Sequence, residues 1–211
     1  EMLFPSKTIL DITNLRSIQK YIKLKKPNIV IHLAGLSRPM NMHDRQIQKS
    51  IDLNIIGTCN ITKACAEKNI KLIYFSTSYV YPGTNGNYME SDSLLPVNNY
   101  AWSKLGGECA VQLYNNSLIL RLCMTERPFV HKSAFYDVKN SFMFQENLAK
   151  IFFKLINKKG IINVGGPSQS VYNFARKHNK NIKKTYLKKN LDIGIPFDSS
   201  INIKKLKNIL K

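Results

Sequence analysis

The pattern of apolar and polar positions in the first part of the chain alternates between two kinds of segment. Three short continuous apolar runs, rich in β-branched residues, lie at 28–35, 71–77 and 117–123. Such runs are typical of strands buried on both faces of a parallel sheet. Around them, apolar residues recur with the helical period at 14–26, 44–68 and 99–114. This alternation predicts an α/β fold built on a doubly wound parallel sheet.

After about residue 124 the predicted elements become shorter and more polar. They are helices near 146–157, near 171–177 and from about 201, and strands at 160–166 and 183–187. These elements are few for an independent domain of ordinary size. We therefore predict a Rossmann-like domain over residues 1–125 and a small α/β cap over residues 126–211. The cap is expected to pack on the carboxyl edge of the sheet and to return some of its elements to that sheet.

The composition is typical of a globular protein, and the sequence also bears on the location of the protein in the cell. Of the 211 residues, 44% are hydrophobic and 21% are charged, which suits one domain with a sizeable core. The sequence has no apolar run near the roughly 18 to 20 residues that a membrane span needs, and no signal-peptide pattern at its start. No membrane partner is therefore predicted, and a cytoplasmic location is the default expectation.

The large positive charge bears on the choice of partner. The chain carries 32 Lys and Arg residues against 13 Asp and Glu, a formal net charge of +19. Such a charge is common in nucleic-acid-binding proteins, but no helix-turn-helix, RNP-type or zinc-finger pattern accompanies it. The excess of positive charge also reflects a general abundance of Lys, Asn and Ile in the chain. Nucleic acid is therefore disfavoured as a partner, and an anionic substrate is the simpler interpretation.

The cysteines and histidines show no spacing typical of a metal site. The cysteines, which we predict to be reduced core residues, are Cys59, Cys65, Cys109 and Cys123. The histidines, to which the sequence assigns no role, are His32, His43, His131 and His178. No metal is predicted.

Residues 99–108, NYAWSKLGGE, contain the main chemical candidates. Tyr100 and Lys104 are four positions apart, which places them one helical turn apart on the same face. Reduction of a carbonyl group by a nicotinamide needs an acid near the carbonyl oxygen. A lysine beside a tyrosine favours the phenolate and lowers the pKa of that tyrosine. Thr77, at the carboxyl end of a predicted strand, offers a hydroxyl that can hold the carbonyl in place.

The spacing alone does not single out Tyr100, because Tyr21 and Lys25 have the same spacing. Tyr21 lies on the apolar stripe of a predicted helix, and no strand with a hydroxyl at its end precedes it. The distinction therefore comes from the strand-to-helix arrangement that places Thr77 before Tyr100.

The segment from 75 to 108 resembles the central part of extended short-chain dehydrogenases, most closely the dTDP-4-dehydrorhamnose reductases and their sugar-nucleotide-binding relatives. The matching positions are Ser76, Thr77, Tyr79, Val80, Gly83, Tyr88, Glu90, Pro96, Asn98, Tyr100, Lys104 and Glu108. Outside this segment the matches are DITN at 11–14, HLAG at 32–35, Asn54 in NIIGT, and Arg121 in the third predicted strand. The resemblance covers most of the chain, but beyond Met124 it depends on pattern more than on residues.

This resemblance implies an NAD(P)-dependent reductase of a nucleotide-activated 4-keto-6-deoxy sugar, as used in dTDP-rhamnose and polysaccharide biosynthesis, with NADP or NAD bound by residues 1–125. The implied catalytic residues are Thr77, Tyr100 and Lys104. The implied cofactor-binding residues are Asp11, Ile12, Ala34, Gly35 and Asn54, together with Tyr100 and Lys104. The implied substrate-binding residues are Thr77, Ser78 and Tyr79. Family members often pair through two long helices, here about 44–68 and 100–114, which adds a homodimer to the expectations.

Several assignments leave alternatives open. Asp11 fits a helix cap as well as a cofactor contact, and Asn54 fits a buried structural amide equally well. Thr77 fits an ordinary strand end. Ser78 stands where the reductases carry Asp, and the Asp-Glu pair that related dehydratases place after the threonine is absent, so dehydration is not expected. Epimerisation, which uses the same tyrosine and lysine, stays open.

The Gly-rich turn that opens this family, G-x-x-G-x-x-G, does not occur in the sequence, which begins ten residues before Asp11. From this we expect a fragment or a truncated product that lacks roughly the first strand and first helix of the fold, with or without its second strand. A complete chain of this kind should have impaired nicotinamide affinity. The competing interpretation is then a non-catalytic subunit that binds a sugar nucleotide or NAD(P).

Overall fold

A computed structural model of the chain describes residues 1–187 and 194–211. The helices are α1 (Leu15–Lys25), α2 (Met42–Arg45), α3 (Ile47–Ser50), α4 (Gly57–Glu67), α5 (Asn99–Gln112), α6 (Gln145–Leu155), α7 (Val171–Arg176) and α8 (Lys204–Leu210), with a π-helical segment over Ile51–Ile56 and a 3₁₀ turn over Ser78–Val80. The strands are β1 (Ile29–His32), β2 (Lys71–Thr77), β3 (Ser117–Leu122), β4 (Met124–Thr125), β5 (Ser133–Phe135), β6 (Lys139–Asn140), β7 (Met143–Phe144), β8 (Gly160–Val164), β9 (Gln169–Ser170) and β10 (Lys183–Thr185).

Four strands form a parallel sheet in the order β1-β2-β3-β8. In its register Ile31 lies opposite Ile73, Ile73 opposite Leu118, and Leu120 opposite Ile162. The four strands therefore end at one edge of the sheet, which is where ligands bind in folds of this kind. The parallel sheet with helices packed on both faces confirms the predicted doubly wound α/β class.

Each face of the sheet has its own apolar core, because successive side chains of a strand point to opposite faces. Leu72 and Tyr74 of β2 join one core with α1, α4 and α5, whereas Ile73 joins the other with α6 and α8. Helical residues in the two cores include Ile18, Ile22, Ile61, Cys65 and Val111 on the first face and Leu148, Phe152, Leu155 and Leu206 on the second. Burial on both faces explains why the strands have continuous apolar runs.

β8 belongs to the main sheet although its residues come late in the chain. The helices α6 and α8 cover the same face of that sheet. The strand pairs β5–β10, β4–β7 and β6–β9 form small two-stranded sheets. The apolar core of this later part includes Phe129, Val138, Phe144, Phe174 and Ile182. The division into residues 1–125 and 126–211 stays a prediction.

The single helix predicted over 44–68 is broken in the structure. α2 and α3 are separated at Gln46, whose φ of −128° and ψ of 60° lie outside the helical region. The π-helical segment then separates α3 from α4, and it contains Asn54. Local π-helical turns are frequent at functional sites, and helical periodicity in a sequence does not reveal them.

Two smaller predictions also need correction. The terminal helix begins at Lys204 rather than near 201, because Ile201 forms a β-bridge with Tyr88. All four cysteines carry free thiols, but Cys109 is exposed, so its assignment to the core is wrong. Within the described residues, the helices fall short of the length and apolar character needed to cross a membrane.

Burial of His32, at the end of β1, is expected to make the fold sensitive to acid. Its Nε2 lies 3.0 Å from the Thr58 hydroxyl oxygen, and burial lowers its pKa from 6.5 to about 3. Between these values the unfolded chain binds a proton that the folded chain excludes. Stability should therefore fall as the pH drops through this window, by up to about 5 kcal/mol.

Urea unfolding of a His32→Asn variant across the same pH range tests this expectation. The variant should lose less stability in acid than the wild type, whereas the exposed control His131→Asn should follow the wild type. Equal acid sensitivity of His32→Asn and wild type would show that His32 is not responsible.

Candidate active site

The carboxyl end of β2 and the first turn of α5 bring the predicted chemical residues together. Thr77 is the last residue of β2. Asn98 caps α5, since its Oδ1 accepts a hydrogen bond from the Ala101 backbone N–H at 2.8 Å. This cap fixes where the helix begins, so that Tyr100 lies in the first turn and Lys104 lies one turn further.

Tyr100 and Lys104 lie in largely buried surroundings that shift both of their pKa values. Burial raises the pKa of the Tyr100 phenol, whereas the nearby Thr77 hydroxyl and the charge of Arg38 lower it. The pKa is raised overall, so the prediction that the neighbouring lysine leaves this phenol with a lowered pKa is wrong. Burial also lowers the pKa of Lys104 to about 8, and the Glu108 carboxylate opposes that shift. A protonated phenol one helical turn from a lysine whose pKa is about 8 is a combination suited to acid–base chemistry.

Tyr74 contacts Lys104 through both its hydroxyl group and its ring. The sequence indicated Tyr74 only as part of an apolar run. Its hydroxyl donates a hydrogen bond to the Lys104 carbonyl oxygen at 3.0 Å. Its ring centroid lies 4.2 Å from the Lys104 Nζ, a favourable cation–π contact. Tyr74 therefore fixes both the backbone and the charged end of the lysine.

Asn54 connects the segment after β1 with α5. Its Nδ2 donates hydrogen bonds to the Leu36 carbonyl oxygen and to Ser103 Oγ, both at 2.8 Å, and its Oδ1 accepts one from the Leu36 N–H at 2.7 Å. Ser103 Oγ in turn donates to the Tyr100 carbonyl oxygen at 2.7 Å. A Cβ at Gly35 would lie only 2.7 Å from Asn54 Oδ1, so this approach requires glycine. The buried-amide interpretation of Asn54 therefore has a structural basis.

Gly106 and Gly107, which are unusual inside a helix, let α5 pack closely on the π-helical segment. A Cβ at Gly107 would lie 2.5 Å from the Asn54 carbonyl oxygen. One at Gly106 would lie 2.8 Å from Ile55 Cδ1. Glycine costs a helix some stability, and here the close contact between two elements of the site explains its presence.

A buried ion pair between Arg121 and Glu108 joins the strands and the helix that carry the candidate site. Arg121 donates two hydrogen bonds to Glu108 Oε1, from Nη2 at 2.7 Å and from Nε at 3.0 Å, and the two side chains are 2% and 0% exposed. Ser76 Oγ donates to the other carboxylate oxygen of Glu108. Arg121 Nη1 also donates to the Tyr81 hydroxyl at 2.8 Å and to the Glu90 carbonyl at 3.1 Å. The pair therefore connects α5 with β2, β3 and the loop that follows β2.

His43, to which sequence analysis assigned no role, packs edge-on against Tyr100. The ring centroids are 5.2 Å apart and the rings are inclined at 63°. His43 Nδ1 lies 2.7 Å from Ser50 Oγ, and among the described residues its buried Nε2 has no hydrogen-bond partner. Burial lowers the pKa of His43. This neutral ring restricts where the Tyr100 ring can lie, and no sequence spacing indicated the contact.

Arg38 and Glu126 form an ion pair across the carboxyl edge of the sheet, which sequence analysis also missed. Arg38 Nη1 lies 2.9 Å from Glu126 Oε1, and the two side chains are 54% and 43% exposed. Arg38 follows β1 and Glu126 follows β4, while β2 with Thr77 lies between β1 and β3. Burial raises the pKa of both Tyr79 and Tyr100, and the charge of Arg38 opposes both shifts. No motif in the sequence pointed to this pair.

Asp11 and Ile12 lie just before α1. Asp11 Oδ1 accepts hydrogen bonds from the Thr13 backbone N–H at 2.9 Å and from the Thr13 hydroxyl at 2.8 Å. The Thr13 hydrogen bonds lower the pKa of the Asp11 carboxyl group. Ile12 is buried, and its side chain packs where a Cβ on Gly57 would otherwise lie. Asn14 caps α1, since its Oδ1 accepts a hydrogen bond from the Ser17 backbone N–H at 3.2 Å. The helix-cap interpretation of Asp11 is therefore wrong, and a cofactor role for Asp11 and Ile12 stays a prediction.

The other predicted binding residues lie at the carboxyl edge. Ala34 and Gly35 are exposed after β1. Ser78 is buried at the start of the 3₁₀ turn, and the Tyr79 backbone N–H in the same turn donates a hydrogen bond to Thr77 Oγ1 at 3.3 Å. Their roles in binding cofactor or substrate stay predictions.

Comparisons with known proteins place this site in a family. A family model described as RmlD substrate binding domain matches residues 1–125. Over 168 residues the chain is 28% identical to dTDP-4-dehydrorhamnose reductase from Aggregatibacter actinomycetemcomitans, a match that covers 76% of this chain and 52% of that protein. Over 99 residues it is 37% identical to methionine adenosyltransferase 2 subunit beta from Pongo abelii, covering 46% of this chain and 29% of that protein. The chain thus matches about half or less of the length of these relatives.

A solved structure shows the same fold over nearly the whole chain. It is dTDP-4-dehydrorhamnose reductase from Bacillus anthracis in complex with NADP, with a TM-score of 0.84 and 24% sequence identity, covering 99% of this chain and 82% of that chain. The likeness supports the fold, and the family model accounts for more than half of the sequence. The chain therefore belongs to the RmlD substrate-binding domain family, which confirms its resemblance to the dTDP-4-dehydrorhamnose reductases.

Proposed function

We propose that the protein reduces the keto group of a nucleotide-activated 4-keto-6-deoxy sugar, with NADP or NAD as cofactor. The observation that carries the proposal is the convergence of Thr77, Tyr100 and Lys104 at the carboxyl end of β2. The name of the Aggregatibacter relative supports the sugar-nucleotide class. The NADP in the Bacillus anthracis reductase supports the choice of cofactor.

The residues at this edge fit the nicotinamide-ribose end of such a cofactor. Ala34 and Gly35 are small and exposed, so the backbone after β1 is open to a flat ligand. The Tyr100 phenol and the Lys104 ammonium lie one helical turn apart on the same side of α5. Together they offer the donors and the acceptor that ribose hydroxyl groups need.

Each catalytic residue then has a distinct task. The bound cofactor supplies the hydride that reduces the carbonyl carbon. Thr77 donates a hydrogen bond to the carbonyl oxygen and holds it beside Tyr100. Tyr100 donates its phenolic proton to that oxygen. Lys104 stabilises the phenolate that remains and holds the ribose through hydrogen bonds.

The rate is expected to fall as the pH rises through about 8, because the Lys104 ammonium loses its proton there. Below this pH the positive charge is present and stabilises the Tyr100 phenolate; above it the charge is lost. In a Lys104→Arg variant the guanidinium stays charged, so the alkaline fall in kcat/KM should move upward by about one pH unit or more. Initial rates of both proteins between about pH 6 and about pH 10 give the comparison. An alkaline limb at the same pH in both would exclude Lys104 as its source.

The function is tested by the oxidation of NADPH, followed by absorbance, with a dTDP-4-keto-6-deoxy sugar as the second substrate. The expected result is saturable oxidation that requires the sugar nucleotide. A dTDP-sugar with a hydroxyl in place of the keto group is the control, and it should support no oxidation. Absence of sugar-dependent oxidation with both NADPH and NADH would contradict a reductase.

A non-catalytic binding subunit is the second candidate. It is favoured by the match to methionine adenosyltransferase 2 subunit beta, which is named as a subunit of an enzyme. A protein of this kind would bind a nucleotide at the same edge without turning it over. Saturable binding of NADPH or dTDP, together with no oxidation in the presence of keto-sugar nucleotides, would favour this candidate.

A homodimer is a further part of the proposal. Apolar side chains are exposed along the segments that the resemblance assigns to pairing; they are Ile47, Ile51, Ile56, Trp102 and Leu113. Exposed apolar residues on adjacent helices favour an interface. Analytical ultracentrifugation tests it, since a monomer at micromolar concentrations would contradict the expected dimer.

A further inference from the structure

We propose that Arg38 is an anion-binding residue of the site, which exchanges the Glu126 carboxylate for the diphosphate of an incoming ligand. The inference rests on the proposed function in one respect: it requires that a ligand with a diphosphate group binds at the carboxyl edge of the sheet. It assigns to Arg38 a role that neither the motif nor the proposed chemistry requires.

The position of the ion pair carries the first step. Arg38 lies in the segment after β1, and Glu126 directly follows β4, which continues the chain from β3. Because β2 lies between β1 and β3, a contact between these two segments spans the end of β2. Thr77 is at that end. A ligand whose reacting group reaches Thr77 therefore passes close to the Arg38–Glu126 pair.

The second step is that the charge of Arg38 reaches the phenols of the site. Its charge acts on the phenols of both Tyr79 and Tyr100, opposing the rise that burial causes in their pKa values. A charge that acts on both phenols, in an ion pair that spans the end of β2, belongs to the same part of the edge as Thr77. Arg38 is thus placed to reach a ligand bound there.

The third step compares the two partners that can bind Arg38, which are the Glu126 carboxylate and the diphosphate of a ligand. With the side chains of Arg38 and Glu126 about half exposed, water screens their attraction, and the pair contributes little to stability. A guanidinium can donate two parallel hydrogen bonds to phosphate oxygens, and a diphosphate carries more negative charge than one carboxylate. Exchange of Glu126 for a diphosphate is therefore favourable, and Glu126 holds Arg38 in place until a ligand arrives.

Two ligands of the proposed reaction carry a diphosphate, the sugar nucleotide and the dinucleotide cofactor. Titration calorimetry with dTDP and, separately, with NADPH distinguishes them. The proteins compared are the wild type, Arg38→Ala, Arg38→Lys and Glu126→Gln. The control is Lys68→Ala, which removes one positive charge and breaks the similarly exposed Glu67–Lys68 pair, 3.1 Å long. Thermal unfolding checks that every variant is folded.

Substitution of Arg38 and substitution of Glu126 should change the affinity for the ligand in opposite directions. Arg38→Ala should weaken the binding of one of the two ligands by about tenfold or more, with a smaller loss in Arg38→Lys, which keeps the charge but not the paired donors. Glu126→Gln should tighten the binding of the same ligand, because Arg38 no longer has to leave a carboxylate. Lys68→Ala should bind as the wild type does. The ligand affected identifies the source of the diphosphate.

Other outcomes overturn the inference. Binding by Arg38→Ala equal to wild type for both ligands would exclude Arg38 as a contact. Weaker binding in both Arg38→Ala and Glu126→Gln would indicate a structural pair, and a wild type that binds neither ligand would also refute the proposal. The reductase proposal fails separately: a chain that binds dTDP through Arg38 but oxidises no NADPH keeps this inference and loses the reductase.

Discussion

Replacement of Tyr100 by phenylalanine is expected to lower kcat for keto-sugar reduction by about 10²- to 10⁴-fold, the usual contribution of a positioned general acid. The variant keeps the ring and its contact with His43 and removes only the hydroxyl. Thr77 can still hold the carbonyl oxygen, but no residue supplies its proton at the right place. The loss should therefore appear in kcat, while NADPH still binds.

Tyr21→Phe is the matched control, because Tyr21 and Lys25 repeat the spacing of Tyr100 and Lys104 on α1. Steady-state kinetics of both variants should show wild-type rates for Tyr21→Phe and near-complete loss for Tyr100→Phe. Circular dichroism and thermal unfolding should show that both are folded. Turnover by Tyr100→Phe within a few-fold of wild type would remove Tyr100 from the mechanism.

Replacement of Arg121 by methionine is expected to destabilise the fold by about 3–5 kcal/mol, the cost of leaving a buried charge without its partner. The Glu108 carboxylate would lose both Arg121 hydrogen bonds in surroundings where its side chain is 0% exposed. Tyr81 and the Glu90 carbonyl would lose a donor as well. Among ion pairs of the described residues, this one should therefore dominate the effect on stability.

Urea unfolding gives the measurement for this second prediction. The double variant Glu108→Leu, Arg121→Met should recover much of the loss, because neither charge then stays buried alone. Lys68→Met, which breaks the exposed Glu67–Lys68 pair, should change the free energy of unfolding little. A loss in Arg121→Met no larger than that in Lys68→Met would contradict the importance of the buried pair.

Much of the fold could be predicted from the sequence, because burial on both faces leaves continuous apolar runs. The strand predicted over 71–77 coincides with β2, and the helix predicted from about 99 begins at Asn99. The break at Gln46 and the π-helical segment could not be predicted, since the apolar positions keep a helical period across them. The π-helical segment makes tertiary contacts that a local period does not encode, among them the Asn54 hydrogen bonds to Leu36 and Ser103.

Part of the candidate site could also be predicted from the sequence, and part of it could not. Thr77, Tyr100 and Lys104 were predictable because a strand end and a helix start give them a recognisable local order. Arg38 and His43 were not, because Arg38 comes from the segment after β1 and His43 from α2, and each reaches the site through contacts across the fold. A basic residue in a chain with 32 Lys and Arg residues gives no signal by itself.

The buried pair beneath the site is an intermediate case. An arginine inside the apolar run SLILRLC is a signal of a buried partner, since a charge in a strand buried on both faces must be paired. The sequence could not identify that partner as Glu108, because the pairing depends on how α5 crosses β3.

The central claim, that this edge of the sheet carries out keto-sugar reduction, is tested most directly by following an isotope. The protein is incubated with NADPH deuterated at the transferable position of the nicotinamide and with a dTDP-4-keto-6-deoxy sugar, and the sugar product is analysed by mass spectrometry. The account predicts one deuterium on the former keto carbon for each NADPH oxidised, and none with Tyr100→Phe. A product without deuterium, or deuterium transfer that persists undiminished in Tyr100→Phe, would contradict it.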